Sequence, residues 1–346
     1  MLERSAEEFR NFERLLELEL GGKSEYELYD LAFSRVLKPD PISLLGVDAE
    51  PRCLMLGTDQ RDYAVPRIAE WIAAVKPGGR LLDLGSGDGQ TIGHAVVGRE
   101  DPLTLLPLDP SEGALAQYAD RVEGRCAQVS VPDTIQCTID EFVAGGGQGV
   151  DRLGGPVDLV LLQHSIYFAS DLRALFRALH SALTPGGRIV VVFAERGGQY
   201  STTMSRDFWA TQPGPQPTLN DGRWSRFDQF FGVADDPGAS GSLGESECAL
   251  QAELGEDLFR VIERSLQPTK LFANDFGDLI ALALITGLTP SNDKDLRAML
   301  HYVSQRLQRD PEAFGLRLTL TGPRARMLSV EQPQHLLVLE RRDVSG

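Results

Sequence analysis

The sequence has few cysteines, and they are not arranged as in a structural site. The four cysteines are Cys53, Cys126, Cys137 and Cys248, and they form no CxxC pair. No histidine stands at zinc-finger spacing from them. The sequence therefore predicts neither a disulfide framework nor a bound metal, and it favours the reduced environment of the cytoplasm.

Positive charge is also scarce. The chain has 34 Lys and Arg residues against 50 Asp and Glu residues, which is a formal net charge of -16 at pH 7. A surface with this excess of carboxylate repels phosphate, and no dense cluster of Lys or Arg reverses the charge locally. Nucleic acid is therefore not predicted as a partner. We interpret the excess charge as a source of solubility, with attraction of a cationic ligand as the alternative.

Long apolar runs are missing as well. Charges are spread through the first fifteen residues, and the apolar run from Leu279 to Leu288 is too short to cross a bilayer. Neither a signal peptide nor a membrane segment is predicted. With 346 residues, 42% of them hydrophobic, the chain is long enough for one large domain with an appendage or for two modest ones. The same apolar fraction excludes global disorder.

Apolar strands alternate with helices over the central part of the chain. The periodicity predicts strands near residues 81–84, 104–108, 135–138, 157–162 and 189–193, and helices over residues 64–75, 111–122 and 171–183. A Pro-Gly-Gly turn precedes two of the strands, at residues 77–79 and 185–187. This alternation is typical of an α/β fold, in which helices cover both faces of a parallel sheet.

The flanking regions have different patterns. Helical spacing of apolar residues recurs over residues 5–20 and 25–36, and later over 256–265, 276–286 and 293–308. Two final strands, near residues 316–321 and 335–340, are expected to form an antiparallel hairpin at the sheet edge. Residues 213–247 are rich in Gly, Pro, Ser and Asp but contain Trp224, Phe227, Phe230 and Phe231. This segment is predicted to be a functional loop or cap, with an ordered surface insertion as the alternative.

The most informative segment is LLDLGSGDGQ, residues 81–90, an apolar strand that ends in a glycine turn and opens a helix. Glycines in such a turn let a ligand approach the backbone closely. A dinucleotide fingerprint would need another glycine where Gln90 stands, and no Gly-Lys-Ser/Thr follows to complete a Walker A loop. Both of these phosphate-binding patterns are therefore excluded.

The stretch from about Arg80 to Phe193 instead resembles the class I S-adenosylmethionine-dependent methyltransferases. Four features occur in the family's order: the D-x-G-x-G-x-G loop, Asp109 at the end of the next strand, the segment 138–142, and the LTPGGR turn at residues 183–188. The resemblance implies a Rossmann-like α/β fold that binds S-adenosyl-L-methionine.

The same resemblance assigns residues to the cofactor. Asp109 would accept hydrogen bonds from both ribose hydroxyls, because two carboxylate oxygens can do so together. Asp83 would position the cofactor's ammonium group or the loop itself, and Thr138 and Ile139 would border the adenine. A turn or capping role is the alternative for any one of these residues. The complete set of predicted cofactor residues is Asp83, Gly85, Ser86, Gly87, Gly89, Asp109, Thr138, Ile139 and Gln163.

Outside the cofactor loop the sequence resembles histamine N-methyltransferase and its relatives. The stretches that carry this likeness are DPSE at residues 109–112, the run at 158–168 that ends in QHSIYF, and GDL at 277–279. The resemblance implies a small-molecule substrate, with Glu25 at its cationic or hydrogen-bonding end and aromatic walls from two neighbouring residues. The predicted substrate residues are Glu25, His164, Tyr167, Phe168 and Gln332. Histamine itself is not expected, because His164 replaces a substrate-binding Gln of the family.

His164 is also the candidate catalytic residue. An amine must be neutral to attack a methyl group, and His164 follows the fourth predicted strand, at the sheet end where ligands bind in α/β folds. Its ring could accept a proton directly or through water, or it could simply satisfy a backbone group. The expected function is methyl transfer to an amine or imidazole nitrogen. An oxygen or carbon acceptor, or a regulatory protein that binds the cofactor without turnover, stays open.

These patterns divide the chain into four regions. A helical N-terminal cap is expected over residues 1–59, and the S-adenosylmethionine-binding domain over residues 60–195. A substrate cap that includes the aromatic loop is expected over residues 196–310. Residues 311–346 are expected to supply strands that complete the sheet.

Overall fold

A computed structural model describes residues 55, 57–145, 153–195, 258–273, 278, 317–322 and 324–342, without the side chain of Tyr167. The chain divides into two compact units. One comprises residues 63–195, 225–267 and 334–346, and we call it the main unit; the other comprises residues 1–62, 196–224 and 268–333. The predicted helices before residue 55 and the aromatic loop at 213–247 lie outside the described residues.

The described helices begin at caps that the sequence encodes. Ser111 and Asp171 each accept a hydrogen bond from the third backbone N–H that follows them, which is the usual N-cap interaction. The helices are α1 (Gln60–Ala73), α2 (Gln90–Ala95), α3 (Glu112–Glu123), α4 (Ile139–Ala144) and α5 (Leu172–Ala182), with a 3-10 turn at Ile166–Phe168. None of these helices is long and apolar enough to cross a membrane.

The described strands form one large sheet and one small sheet. The strands are β1 (Gly79–Leu84), β2 (Leu103–Asp109), β3 (Val129–Ser130), β4 (Ile135–Gln136), β5 (Val157–Gln163), β6 (Leu183–Ala194), β7 (Phe259–Gln267), β8 (Lys270–Ala273), β9 (Arg317–Leu318), β10 (Leu328–Glu331) and β11 (Gln334–Arg341). The large sheet has the order β3-β2-β1-β5-β6-β11-β7, with β4 also paired to β2.

The centre of the large sheet is parallel, as the sequence predicts. β1 pairs in parallel with β2 and β5, and β5 pairs in parallel with β6. The apolar side chains of these strands are buried, because each strand lies inside the sheet and helices cover its faces. The predicted α/β, Rossmann-like class is confirmed. This arrangement places the carboxyl ends of β1, β2 and β5 at one edge of the sheet.

Both Pro-Gly-Gly turns have the same backbone conformation. Gly78 and Gly186 lie at φ values of +71° and +69°, in the left-handed region that favours glycine. The Gly79 N–H donates to the Lys76 carbonyl at 2.9 Å, which closes the first turn. The two turns therefore introduce β1 and the apolar part of β6 in the same way.

The prediction of a helix over residues 256–265 is wrong, because residues 259–267 form strand β7. β7 pairs antiparallel with β11, and the register shifts where Val338 pairs with Glu263 and Leu339 pairs with Val261. Ile262 is therefore an extra residue in the strand, a β-bulge. The bulge interrupts the alternation of period two, so the sequence of β7 has the spacing of a helix. Pairing to β11 outweighs that local pattern.

The predicted C-terminal hairpin is also wrong, although the strand expected near residues 335–340 is present as β11. β11 lies between β6 and β7 in the interior of the sheet, antiparallel to both. β9 is shorter than expected and pairs with β10 in a separate sheet of order β8-β10-β9. β11, which lies late in the sequence, therefore connects β6 and β7 by pairing with both of them.

Core packing around β11 gives a quantitative test. Leu339 is fully buried, pairs with Ile189 and Val261, and belongs to the main hydrophobic core. We expect Leu339→Ala to lower the free energy of unfolding by about 2–5 kcal/mol, measured by urea denaturation. The control is Leu266→Ala on β7, where the leucine is 40% exposed, and the expected loss is below about 1 kcal/mol. Equal losses in the two variants would contradict this assignment of the core.

Candidate functional site

The glycine loop leaves the carboxyl end of β1 and leads directly into α2. Gly85, Gly87 and Gly89 lie at φ values of +74°, +56° and +77°, and Gly89 is the N-cap residue of α2. A Cβ atom at Gly85 would collide with the side chain of Ser165, whereas a Cβ at Gly87 would meet no atom within 4 Å. The loop is therefore closely packed at its start and has open space beside its middle glycine.

A buried hydrogen bond lies under the loop. The Tyr118 hydroxyl donates to Asp83 Oδ2 at 2.8 Å, and both residues are buried. Burial raises the pKa of Asp83 to about 7; the Tyr118 hydrogen bond lowers it and the Asp109 charge raises it. Burial and the charge of Asp83 also raise the pKa of Tyr118 well above its ordinary value. The Tyr118 ring lies 2.9 Å from where a Cβ of Gly89 would be, so it supports the loop from below.

Asp109 connects the end of β2 to the same loop. Its Oδ2 accepts the Gly87 N–H at 2.8 Å, and its Oδ1 accepts the Ser111 N–H at 2.9 Å. Burial raises the pKa of Asp109, although both of these N–H bonds lower it. A carboxylate has about four acceptor positions, so two bonds to the backbone leave capacity for the hydroxyl groups of a ligand.

Helix α3 supports the loop on a second side. Arg121 forms an ion pair with Asp88, whose other oxygen accepts the Gln90 N–H at 3.2 Å. Tyr118 and Arg121 are three residues apart, so they lie on the same face of α3. Neither residue is among the site residues that the sequence predicts. Their spacing in a predicted helix just after Asp109 is the signal that could have identified them.

Two predicted adenine neighbours have structural contacts. The Thr138 side chain and Glu141 form a reciprocal capping box at the start of α4. The Ile139 side chain is buried in the hydrophobic core. Both residues follow β4, which pairs with β2 beside Asp109.

His164 follows β5, the strand next to β1. Its backbone lies at φ +52°, a conformation uncommon for a residue with a side chain, and its N–H donates to the Val192 carbonyl at 2.8 Å. The His164 Nε2 atom lies 3.0 Å from Gln334 Oε1, and the ring is half-buried. The next residue, Ser165, donates its hydroxyl to the Leu84 carbonyl at 2.5 Å. The ends of β1 and β5 are therefore joined beside the loop.

The remaining predicted residues are distributed more widely. Gln163 is half-buried at the end of β5, and Phe168 packs against the main core. Gln332 is buried in the other unit, where its N–H donates to the Thr269 carbonyl at 3.0 Å. Glu25 and the side chain of Tyr167 lie outside the described part of the chain. Within that part, no group of three or more His, Cys, Asp or Glu residues could hold a metal ion.

The raised pKa of Asp83 predicts a specific pH dependence of stability. The folded protein keeps a proton on Asp83 that the unfolded chain releases between about pH 4 and pH 7, so folding loses stability as the pH rises through this window. Asp83→Asn removes this titration. We expect the stability of the wild type relative to Asp83→Asn to fall by up to about 1.4 kcal/mol per pH unit there, measured by urea unfolding. A difference that stays constant from pH 4 to pH 7 would contradict the raised pKa.

Comparison with known proteins agrees with this geometry. A family model described as a methyltransferase domain matches residues 82–189. The tRNA 5-carboxymethoxyuridine methyltransferase of Escherichia coli K12 is 32% identical over 120 residues, which are 34% of this chain and 41% of that protein. The protein of the same name from strain O157:H7 gives the same values. The chain therefore spans less than half the length of these curated relatives.

Solved structures of low identity are similar over most of the chain. An S-adenosylmethionine-dependent methyltransferase from Geobacter sulfurreducens, in complex with S-adenosylhomocysteine, is 16% identical, with coverage of 80% of this chain and 91% of that one and a TM-score of 0.40. A cyclopropane synthase from Mycobacterium tuberculosis is 17% identical, with coverage of 90% and 95% and a TM-score of 0.41. The matched family model and the strand order of the sheet together identify residues 82–189 as a class I methyltransferase domain whose cofactor is S-adenosyl-L-methionine.

Proposed function

We propose that this protein transfers a methyl group from S-adenosyl-L-methionine to a nitrogen atom of a small molecule, an amine or an imidazole. The observation that carries the proposal is the juxtaposition of the glycine loop with His164. The loop is held by Asp109 and by the Asp83–Tyr118 hydrogen bond, and the end of β5 that bears His164 is joined to β1 through Ser165. A cofactor cradle and a titratable ring therefore lie at one edge of the sheet.

The loop residues suit the proposed cofactor. The open space beside Gly87 admits a ligand to the backbone, and the Asp109 carboxylate lies at the end of β2 with acceptor capacity for a ribose diol. Asp83 supports the loop indirectly. Its Oδ2 atom accepts a hydrogen bond from the Tyr118 hydroxyl, and the Tyr118 ring lies against Gly89 of the loop. When bound, the cofactor would supply a methyl group carried on a positively charged sulfur. Such a group is transferred when a lone pair of the acceptor attacks the methyl carbon in line and the sulfur leaves. The chain then has to align the acceptor and exclude water.

In this proposal His164 takes up the proton that the acceptor nitrogen must lose before it can attack. Only a neutral nitrogen has the lone pair that attack requires, and a histidine exchanges protons near neutral pH. The stretches that resemble the histamine N-methyltransferase group support a basic substrate, with Glu25 at the end of the molecule that does not react. Phe168, close to His164 in sequence, supplies an aromatic surface in this proposal, together with Tyr167. Gln332 is retained as a further substrate contact from the sequence resemblance alone.

Transfer RNA is the second candidate substrate, because the curated relatives act on tRNA. The charge of this chain weighs against it. Binding of nucleic acid depends on Lys and Arg side chains that neutralise phosphates, whereas this chain carries a net charge of -16. An acidic protein attracts a cationic amine by the same electrostatic argument. We therefore favour the small molecule.

Loss of the Asp109 carboxylate should weaken cofactor binding. We expect Asp109→Ala to lower the affinity for S-adenosylhomocysteine by roughly 1.5–3 kcal/mol, the range for hydrogen bonds to a charged group, measured by calorimetric titration. Asp101→Ala is the matched control, because Asp101 is exposed and precedes the other end of β2. It should bind as the wild type does. Unchanged affinity in a folded Asp109→Ala variant would contradict the assignment of the cofactor site.

A comparison of acceptors decides between the candidate substrates. The purified full chain is incubated with methyl-labelled S-adenosyl-L-methionine and either bulk tRNA or a panel of amines, imidazoles and phenols. We expect the label in an amine or imidazole, and for that acceptor Glu25→Gln should raise KM more than it lowers kcat. Label in tRNA, with transfer that declines steeply as salt increases, would instead support the second candidate.

Two further outcomes of that panel would overturn the proposed acceptor. Label in a phenol or at carbon would identify the oxygen- or carbon-methylating alternative. Tight binding of S-adenosylhomocysteine with no transfer to any acceptor would favour a regulatory protein that binds the cofactor. Asp109→Ala serves as the negative control throughout, because transfer should depend on the cofactor site.

A further inference from the structure

A row of polar side chains crosses the carboxyl edge of the large sheet, from His164 to β7. The His164 Nε2 atom lies 3.0 Å from Gln334 Oε1, and the Gln334 amide nitrogen donates to Gln267 Oε1 at 2.6 Å. The Gln267 amide nitrogen in turn points to the Tyr63 backbone carbonyl at 3.5 Å. Gln334 and Gln267 are both buried and pair directly across strands β11 and β7. None of these contacts is required by the sheet itself.

The row has a direction, and the direction is set at its far end. A backbone carbonyl can only accept hydrogen bonds, so the Gln267 amide turns its NH2 group toward Tyr63 and its oxygen toward Gln334. Gln334 therefore donates its NH2 group to that oxygen and presents its own oxygen to His164. Rotating either amide by half a turn would place two oxygens or two NH2 groups next to each other. In a buried environment that loss of a hydrogen bond is unfavourable.

An amide oxygen facing the ring determines which ring nitrogen carries the hydrogen. A neutral imidazole has one N–H and one nitrogen with a lone pair, and only an N–H can pair with an oxygen. We infer that Gln334, oriented by Gln267, is a positioning residue that holds neutral His164 in the tautomer with hydrogen on Nε2 and the lone pair on Nδ1. The inference rests on the proposed function only in naming Nδ1 as the atom that takes the substrate's proton.

The distances along the sheet explain why glutamine is needed at this position. His164 follows β5 and Gln334 lies on β11, with β6 between them, so their backbones are separated by about 10 Å. Ala194, the β6 residue in register with Gln334, carries only a methyl group on the shared face. A long side chain on β11 can therefore reach the imidazole across β6. The left-handed backbone of His164, at φ +52°, is part of the same arrangement.

An apolar analogue at residue 334 separates this role from packing. Leucine fills a space similar to that of glutamine but has no acceptor for Nε2–H. Gln267→Leu removes the group that orients Gln334 and leaves Gln334 in place. Gln128→Leu is the control, because Gln128 is exposed and precedes β3, away from the row.

Nitrogen NMR of the ring tests the tautomer without any assay of activity. The full chain is labelled with ¹⁵N-histidine, and long-range proton–nitrogen correlation spectra are recorded at roughly pH 8.5, two units above the ordinary pKa of histidine. The chain has five histidines, so His164→Gln identifies the resonances of His164. We expect a pyrrole-type signal from Nε2 and a pyridine-type signal from Nδ1 in the wild type and in Gln128→Leu. Gln334→Leu and Gln267→Leu should shift both signals toward the averaged values of two exchanging tautomers.

Two results would overturn the inference. One is a pyrrole-type signal from Nδ1 in the wild type, which can be read even if a variant fails to fold. The other is an unchanged pair of signals in a Gln334→Leu variant whose circular dichroism matches that of the wild type. Methyl transfer should fall roughly tenfold or more in Gln334→Leu and be retained in Gln128→Leu. If the signals behave as expected but the wild type methylates no acceptor, the proposed function fails and the tautomer assignment stands.

Discussion

The hydrogen bond between Tyr118 and Asp83 is the interaction on which the rest of the site depends. It is buried under a loop that contains three glycines in left-handed conformations, and such a loop has little stiffness of its own. Asp83 belongs to β1, Tyr118 to α3, and Asp109 closes the loop from β2 through Gly87. One carboxyl from each of two neighbouring strands, and one helix, therefore determine where the loop lies. The raised pKa of Asp83 is the energetic consequence of placing that carboxyl out of contact with water.

The parts of the fold that the sequence predicts are those with a strong local pattern. β1, β5 and β6 each contain a short run rich in apolar residues, as is typical of strands buried on both faces, and a Pro-Gly-Gly turn introduces two of them. β7 has no such pattern, because its outer edge is not paired within the described sheet and the bulge at Ile262 shifts its alternation. The place of β11 between β6 and β7 depends on pairing over a long separation in sequence. No local spacing records that pairing.

The candidate site divides in a similar way. Glycines, Asp83 and Asp109 form a compact motif whose spacing is visible in the chain, and the structure places them together. The role of Tyr118 is harder to predict from the sequence, because a tyrosine in an amphipathic helix fits the same pattern whether it packs in the core or supports a loop. The pairing of His164 with Gln334 spans 170 residues and depends on the order of strands. It could not be inferred before that order was known.

Near the end of the chain, polar residues that are close in sequence have different surroundings. The family resemblance pointed to Gln332, which lies in the other unit with its backbone bonded to Thr269. Two residues later, Gln334 begins β11 in the main unit and contacts His164. Side chains alternate along a strand, so His335 lies on the opposite face, where it stacks on Phe193 and pairs with Glu195. The register of β11, which is fixed by its pairing with β6, decides that Gln334 and not His335 faces His164.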